Sequence, residues 1–233
     1  MHRLIPRNCA EAKGDSPASA RLKIGIAGDR AAGTFNIDGD KNDVYVSAMP
    51  ETEALKYVRV VSYDPDWPRR YAEERACLVG LGDARLMELE HIGSTAVPGL
   101  CAKPIIDMMA AVIELNEGLA FALRLNFLGY ELIETGMNAR LFLRRRSEAD
   151  GQVFHLHIVE RRTWDLRKER LMRDYLLAHP DAASAYSDLK RRLAEALADD
   201  SLAYTKAKTA FIQDLIDKAR AKIGLSSVDV WTD

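Results

Sequence analysis

A Gly-Ser pair and a nearby aspartate are the residues whose types and spacing could do chemistry. Gly93, Ser94 and Thr95 lie in the stretch EHIGSTAVPGL, and Asp107 follows in the apolar run KPIIDMM. A glycine lets the backbone N–H approach a phosphate closely, and hydroxyl groups donate further hydrogen bonds. A buried carboxylate needs a cation or a donor, and Mg²⁺ commonly bridges a carboxylate to nucleotide phosphates. A plain turn and an aspartate paired with an arginine would also explain both features.

Two histidines form a second candidate group in the stretch QVFHLHIVE. His155 and His157 are two residues apart, so a strand would project both side chains from one face. Paired imidazoles can ligate a metal, bind a phosphate when protonated, or relay a proton. The local sequence supplies no third ligand, and a half-exposed polar face is the alternative. The pair gains meaning only if its strand lies beside the strand of Asp107.

Positive charge and a third histidine surround these residues in the sequence. Lys103 and Arg140 are candidates to offset the charge of a bound phosphate. His91 could act as a base toward an acceptor group, or it could be structural and hydrogen-bond the Gly-Ser turn. Lys206 and Lys208 could point into the same cleft, although a solvated helix face explains them equally well.

Alternating and helical patterns indicate which elements must position these residues. We expect a helix within 64–82, strands within 84–92 and 103–113, and a helix over 115–128 closed by Gly129. Strand patterns follow within 130–135, 139–146 and 152–160, and 58–62 also alternates. Helices are expected over 163–178, 181–197 and 202–223, with Asp181 and Ser201 as N-caps. This order predicts an α+β (α/β) fold, a mixed sheet with flanking helices and a C-terminal helical segment.

The chain divides into three parts by composition and pattern. Residues 1–56 are expected to be a partly flexible extension, 57–224 one domain with a sheet core (57–160) and a helical part (161–224), and 225–233 a tail. Short strands are expected within 22–28 and 43–49 of the extension, which also contains two motif fragments. Residues 28–34 have the glycine spacing of a phosphate-binding loop but end in threonine instead of lysine. Residues 38–43 begin like a calcium loop, but Asp43 replaces its glycine and Met49 stands where its glutamate belongs. Plain turns are expected at both.

The bulk composition excludes some classes of protein. The 233 residues carry a formal net charge of −2, which gives no general attraction to nucleic acid or to an anionic membrane. No run of about 18 apolar residues occurs, so no membrane-spanning helix is expected. Three cysteines without pair or metal spacing favour a reducing compartment. A cytoplasmic protein with local phosphate binding and small-molecule partners is therefore expected.

From about residue 57 to residue 222 the sequence resembles the GrpB family. The matching stretches are YDPDWP, EHIGSTAVPGL, AKPIID, HLHIVE, RDYLLAHP and YTKAKTAFI. The family is similar to the polymerase-β-like nucleotidyltransferases, and its domain also carries a label as a dephospho-CoA kinase and protein-folding accessory domain. The resemblance implies the nucleotidyltransferase fold, a phosphate on Gly93-Ser94 and a metal on Asp107.

The chain departs from the superfamily pattern at one position. Asp-x-Asp is expected there, but the second acid is replaced by Met109. A single metal ion could suffice, His155 and His157 could substitute as ligands, or transfer could have been lost. Histidine ligands would favour Mn²⁺ or Zn²⁺ over Mg²⁺. The leading hypothesis is a metal-dependent nucleotidyltransferase-like enzyme acting on a nucleoside triphosphate and a small acceptor. The alternatives are a non-catalytic nucleotide- or phosphate-binding accessory module, and an enzyme with other chemistry on a phosphorylated or adenylated substrate.

Overall fold

A mixed five-stranded sheet is the centre of the molecule. A computed structural model describes residues 34–36, 43–45, 57–137 and 139–231. The sheet order is β3-β4-β7-β6-β5, and within it only β4 and β7 run parallel. Two short strands, β1 and β2, pair separately in antiparallel fashion. The strand bounds are Thr34–Asn36 (β1), Asp43–Tyr45 (β2), Glu88–Ile92 (β3), Ile105–Val112 (β4), Glu131–Ile133 (β5), Leu141–Arg146 (β6) and Val153–Glu160 (β7).

Helices flank this sheet and make up the C-terminal part. The α-helices are Trp67–Gly80 (α1), Leu115–Arg124 (α2), Lys168–Ala178 (α3), Pro180–Ala196 (α4), Ser201–Ala207 (α5) and Thr209–Lys222 (α6). Short 3-10 helices cover Ser94–Ala96, Leu125–Leu128 and Arg161–Leu166. The predicted mixed sheet with flanking helices and a helical C-terminal segment is confirmed. The assignment of 1–56, 57–224 and 225–233 as separate parts stays a prediction.

The main hydrophobic core lies between one face of the sheet and helices α1 and α2. Strand alternation places apolar residues of β4, β6 and β7 on this face, and they are buried except for Leu141, which is partly buried. Helix α2 approaches the sheet at Gly118, where an added Cβ would meet Ile158 and Val112 at 3.1 Å. A small residue is therefore needed for α2 to lie this close to the sheet. Two smaller clusters lie elsewhere, one around Trp164 and one within the helical part.

Several local predictions need correction. Helix α4 begins at Pro180 with His179 as N-cap, so Asp181 lies in the first turn instead of capping it. Helix α5 is capped by Asp200, whose side chain accepts from the Ala203 N–H at 2.8 Å. One long helix was expected over 202–223, but two helices meet at Lys208. Residues 58–62 form only an isolated bridge between Val61 and Ala102. The strand and loop fragments predicted within 22–33, 37–42 and 46–49 lie outside the described residues.

The described residues include no helix long and apolar enough to cross a membrane. Cys101 is a buried free thiol, whereas Cys77 takes part in a disulfide. The cysteine spacing argued against disulfides, so that expectation needs correction at Cys77. The cytoplasmic location stays a prediction.

Candidate functional site

The register of the sheet brings the Gly-Ser turn and Asp107 into contact. Asp107 pairs with Ile92 on β3, so the chain enters the turn at Gly93 directly beside the carboxylate. Gly93 has φ +71, a left-handed conformation that favours glycine. An added Cβ at Gly93 would lie 2.6 Å from Asp107 Oδ2, closer than any ordinary contact. Both the backbone angle and the space therefore require glycine at this position.

Asp107 also pairs with a histidine on its other side. It lies opposite His155 on β7, and His155 Nδ1 is 3.1 Å from Asp107 Oδ1. A carboxylate can only accept, so His155 donates through Nδ1, and Nε2 is left for another partner. Burial opposes ionisation of Asp107, but the hydrogen bond and charge of His155 hold the pKa of this carboxyl below its usual range. The Asp107 side chain is 29% exposed, so a ligand can reach it.

The second histidine of the pair is committed elsewhere. His157 lies on the same face as His155, as predicted, but its Nδ1 is 3.3 Å from Arg140 Nη1. An arginine can only donate, so His157 accepts through Nδ1. Burial lowers the pKa of His157 to about 4, which keeps the ring neutral. No group of three histidine, cysteine or carboxylate residues poised to hold a metal occurs in the part of the chain that the structure describes. The metal set of Asp107, His155 and His157 stays a prediction.

Arg140 is placed to hold a helix, not a phosphate. Its side chain is buried, and Nη1 lies 2.7 Å from Glu169 Oε1 on α3. Burial opposes ionisation of Glu169, but the charge of Arg140 keeps the pKa of this carboxyl below its usual range. This ion pair joins the start of β6 to α3. The structure therefore does not bring Arg140 to the Gly-Ser turn as a free cation.

His91 and Thr95 fix the turn from within. Thr95 Oγ1 donates to the Ile105 carbonyl at 3.0 Å. His91 Nε2 lies 3.0 Å from Thr95 Oγ1. The hydroxyl proton is used toward Ile105, so His91 must donate through Nε2. The His91 ring stacks on Tyr71, and burial lowers the pKa of His91 to about 4. By register His91 projects from the opposite face to Asp107, which favours the structural alternative for His91.

Met109, which stands where the superfamily has its second acid, is part of the hydrophobic packing of the protein. Met109 is fully buried in the small cluster around Trp164. Its neighbour across β3 is Glu90, a carboxylate on the same face of the sheet. Glu90 accepts two hydrogen bonds from Arg170 at 3.0 Å and one from Arg173 at 2.7 Å. The acid nearest to Met109 is therefore bound to two arginines of α3 and is not available as a metal ligand.

The helical part adds Lys190, which the sequence did not single out, and it contacts Lys103, which the sequence did. Lys190 Nζ on α4 donates to Ser94 Oγ at 3.1 Å and also to the Cys101 carbonyl. Lys103 donates to Ser201 Oγ at 3.0 Å, and Lys208 lies over the Tyr204 ring. The sequence did contain a sign that Lys190 is buried, because Tyr186 and Lys190 are four residues apart and lie on the same, buried face of α4. A lysine on the apolar face of a predicted helix needs a polar partner inside the protein, and this could have marked Lys190 as a candidate residue.

Comparisons with known proteins agree on one family. The family model described as GrpB protein matches residues 57–218. A UPF0157 protein of Halalkalibacterium halodurans is 28% identical over 193 residues, which cover 83% of this chain and 97% of the relative. A UPF0157 protein of Streptomyces coelicolor is 33% identical over 169 residues, covering 72% and 87%. The crystal structure of the conserved protein GrpB from Enterococcus faecalis matches with a TM-score of 0.64 and 33% identity, covering 71% of this chain and 99% of that one.

Proposed function

Since the chain belongs to the GrpB family, we propose that its Gly-Ser turn and Asp107 form the nucleotide site of a nucleotidyltransferase-like enzyme. The substrate would be a nucleoside triphosphate with Mg²⁺, and the second substrate a small molecule with a hydroxyl or amine. The observation that carries the proposal is the contact between Gly93 and the Asp107 carboxylate. It places a candidate phosphate-binding turn beside a candidate metal ligand.

The turn itself offers donors for a phosphate. Its two backbone bonds run from Ala96 N–H to the Gly93 carbonyl and from Val97 N–H to the Ser94 carbonyl. Neither bond uses the N–H groups of Ser94 and Thr95, which can therefore donate to a ligand. The Thr95 hydroxyl is engaged with Ile105, so we assign the phosphate to Ser94 and the backbone, not to the Thr95 side chain.

The donor set fits one kind of metal and not another. Mg²⁺ is often bound by one or two carboxylates together with substrate phosphates, and the partly exposed Asp107 fits this arrangement. A Mn²⁺ or Zn²⁺ ion held by protein alone would need further ligands, which the described residues do not group together. When bound, Mg²⁺ would neutralise charge on the nucleotide phosphates. Asp107 is the residue of this chain that would hold it.

His155 is the residue best placed to move a proton. Asp107 orients the ring through Nδ1, which leaves Nε2 free to accept a proton from an acceptor hydroxyl or amine. The edge of Phe142 lies against this ring, with the ring centroids 4.9 Å apart. The packing and the hydrogen bond together hold His155 in one orientation. His157 and His91, which donate or accept elsewhere, are assigned positioning roles.

Nucleotide binding with and without Asp107 tests the proposal. We would follow thermal unfolding of the full chain with ATP, GTP, CTP and UTP, each in Mg²⁺ and in EDTA. A ligand at about one hundred times its Kd stabilises the folded state by about 2.7 kcal/mol. We expect one or more nucleotides to raise the midpoint in Mg²⁺, and Asp107→Asn to abolish this rise. Asn keeps the shape and an acceptor for His155, so the variant should fold.

Glu131→Gln is the matched control, because it removes an exposed carboxylate from the edge strand of the same sheet. It should leave the nucleotide effect unchanged. A shift of equal size in wild type and Asp107→Asn would remove Asp107 from the site. No shift with any nucleotide would contradict a nucleotide site altogether.

The burial of Met109 favours a second candidate function, a nucleotide-binding accessory module without transfer chemistry. A two-metal mechanism needs carboxylates that bridge both ions, and Met109 supplies none. Such a module would bind nucleotides with the same affinity in Mg²⁺ and in EDTA. A metal-dependent affinity that Asp107→Asn abolishes would instead support the enzyme.

A further inference from the structure

We propose that Lys103, Lys190 and Lys208, here called the lysine set, form a receptor for a polyphosphate chain. The inference deepens the proposed function, because it names the triphosphate as the group that the helical part of the molecule recognises. It rests on three cations from separate elements, of which Lys190 contacts Ser94 of the Gly-Ser turn. Within the described residues, none of the three forms an ion pair with a carboxylate.

Lys190 is the most buried member of the lysine set. Its side chain is 2% exposed, and Nζ donates to Ser94 Oγ and to the Cys101 carbonyl. The ammonium also lies 4.4 Å from the centre of the Tyr186 ring. All three partners are neutral, so they orient the ammonium without cancelling its charge. Lys190 thus brings an ammonium group from α4 to the hydroxyl assigned to phosphate.

Lys103 and Lys208 share one aromatic ring. The Nζ of Lys103 is 5.1 Å and that of Lys208 is 4.1 Å from the centre of the buried Tyr204 ring. Lys103 also donates to Ser201 Oγ, so both lysines are held by α5. Lys103 precedes β4 by two residues, which places Lys103 and Lys208 near the N-terminal end of the strand that carries Asp107.

The lysine set has no ion-pair partner within the part of the chain that the structure describes. No described carboxylate forms an ion pair with any of the three lysines, although the charge of Asp107 acts on Lys103 and Lys208. Burial lowers the pKa of Lys190 to about 7, and burial together with the charge of Lys103 lowers the pKa of Lys208 to about 8. Buried charge without a partner costs stability. Such a cost is understandable where an anionic ligand supplies the missing charge.

The arrangement suits linked phosphates better than a single one. A lone phosphate is commonly held by the bidentate fork of an arginine, whereas lysines act as separate point charges. The three ammonium groups come from the loop before β4, from α4 and from the junction of α5 and α6. A chain of phosphates presents oxygens to several separate cations at once. The predicted order of affinity is therefore tripolyphosphate, then pyrophosphate, then orthophosphate.

Calorimetric titration of the full chain with inorganic tripolyphosphate in EDTA at low salt tests the receptor. The probe has no base or sugar, and EDTA removes divalent metal, so the result does not depend on Asp107. We expect binding in wild type and in Asp107→Asn. We expect Lys208→Met and Lys190→Met each to weaken the affinity about tenfold or more, the usual scale for one charge-assisted hydrogen bond.

Lys206→Met is the matched control, because it removes an exposed charge two residues from Lys208. It should change the affinity less than twofold. If Lys190→Met does not fold, as circular dichroism would show, Lys208→Met still decides the outcome. An equal loss in Lys206→Met and Lys208→Met, no preference for tripolyphosphate over orthophosphate, or no binding would each overturn the receptor. Tripolyphosphate binding without metal-dependent nucleotide binding would keep the receptor and reject only the proposed transferase site.

Discussion

Two clusters of buried charged residues in this molecule differ in whether they contain charges of both signs. In the first, here called the core-face pair, Glu74 of α1 accepts a hydrogen bond from Arg145 of β6. The Tyr130 hydroxyl donates to the other Glu74 oxygen at 2.8 Å. In the second, the lysine set, three cations are held by hydroxyls, a carbonyl and aromatic rings, and no described carboxylate forms an ion pair with them.

The contrast separates a structural role from a binding role. In the core-face pair both carboxylate oxygens and the guanidinium have partners inside the protein, so the cluster is complete without a ligand. Within the described residues, the lysine set has hydrogen-bond and aromatic partners but no ion-pair partner. The first arrangement should therefore contribute to stability and the second to recognition of an anion.

Glu74→Gln should produce the largest loss of stability. The change keeps the size of the side chain but leaves the half-buried Arg145 without its charge partner. Removing one member of a buried ion pair costs about 3 kcal/mol or more. Urea unfolding followed by circular dichroism would measure this loss. Glu73→Gln is the control, because Glu73 is exposed and its ion pair with Arg69 lies on the surface.

A loss of less than about 1 kcal/mol in Glu74→Gln would break the comparison, because the paired cluster would then contribute no more than a surface pair. The contrast with the lysine set would also fail if Lys208→Met destabilised the protein as much as Glu74→Gln. Binding of tripolyphosphate by Glu74→Gln should remain as in wild type.

Gly93→Ala should have the next largest effect. The alanine would adopt φ +71 and would place its Cβ 2.6 Å from Asp107 Oδ2. The left-handed conformation and the contact together should cost about 2 kcal/mol or more. Gly99→Ala is the matched control, because Gly99 has φ +79 but no atom within 4 Å of an added Cβ. Its expected cost is about 1 kcal/mol, for the backbone conformation alone.

The difference in free energy of unfolding between Gly93→Ala and Gly99→Ala gives the cost of the contact with Asp107 alone. Unfolding of Gly93→Ala, Asp107→Ala and the double variant completes a mutant cycle. Asp107→Ala removes the Oδ2 and Cγ atoms at 2.6 and 3.2 Å from the new Cβ and leaves only the Cβ of residue 107 at 3.0 Å. We therefore expect the double variant to be more stable than the sum predicts. Strict additivity would mean that the turn and the carboxylate are not coupled.

The sequence predicted the sheet side of the site better than its helical side. Period-two alternation placed His155 and His157 on one face, and the pairing of β4 with β7 confirmed that they lie beside Asp107. Such patterns are local, so a single chain segment determines them. The positive-φ glycines at 93 and 129 were likewise expected at turns.

The partners of these side chains could not be read from local pattern. His157 contacts Arg140, Arg140 pairs with Glu169, and Lys190 reaches Ser94 across 96 positions of sequence. These contacts depend on how α3 and α4 pack on the sheet, which periodicity does not specify. Helix ends were also displaced by one residue, because Asp200 and Ser201 are both good caps and only the fold selects between them.

Lys190→Met should produce the smallest change, and the lysine set predicts its dependence on pH. The pKa of Lys190 is about 7 in the folded chain and about 10.4 when unfolded, so the unfolded state binds more protons between these values. The free energy of unfolding of wild type should therefore rise with pH from about 7 to about 9. One proton contributes at most about 1.4 kcal/mol per pH unit.

Lys190→Met removes this titration, so its free energy of unfolding should rise less steeply over the same range. At neutral pH the loss of the Lys190 hydrogen bonds and the removal of an unpaired charge oppose each other, and the net change should stay within about 1 kcal/mol. Urea unfolding at several pH values measures how the free energy of unfolding changes with pH. Lys206→Met is the control and should show the same change as wild type. An unchanged slope in Lys190→Met would mean that the protein already balances this charge. The lysine set would then resemble the core-face pair, and the argument that an anion completes it would lose its basis.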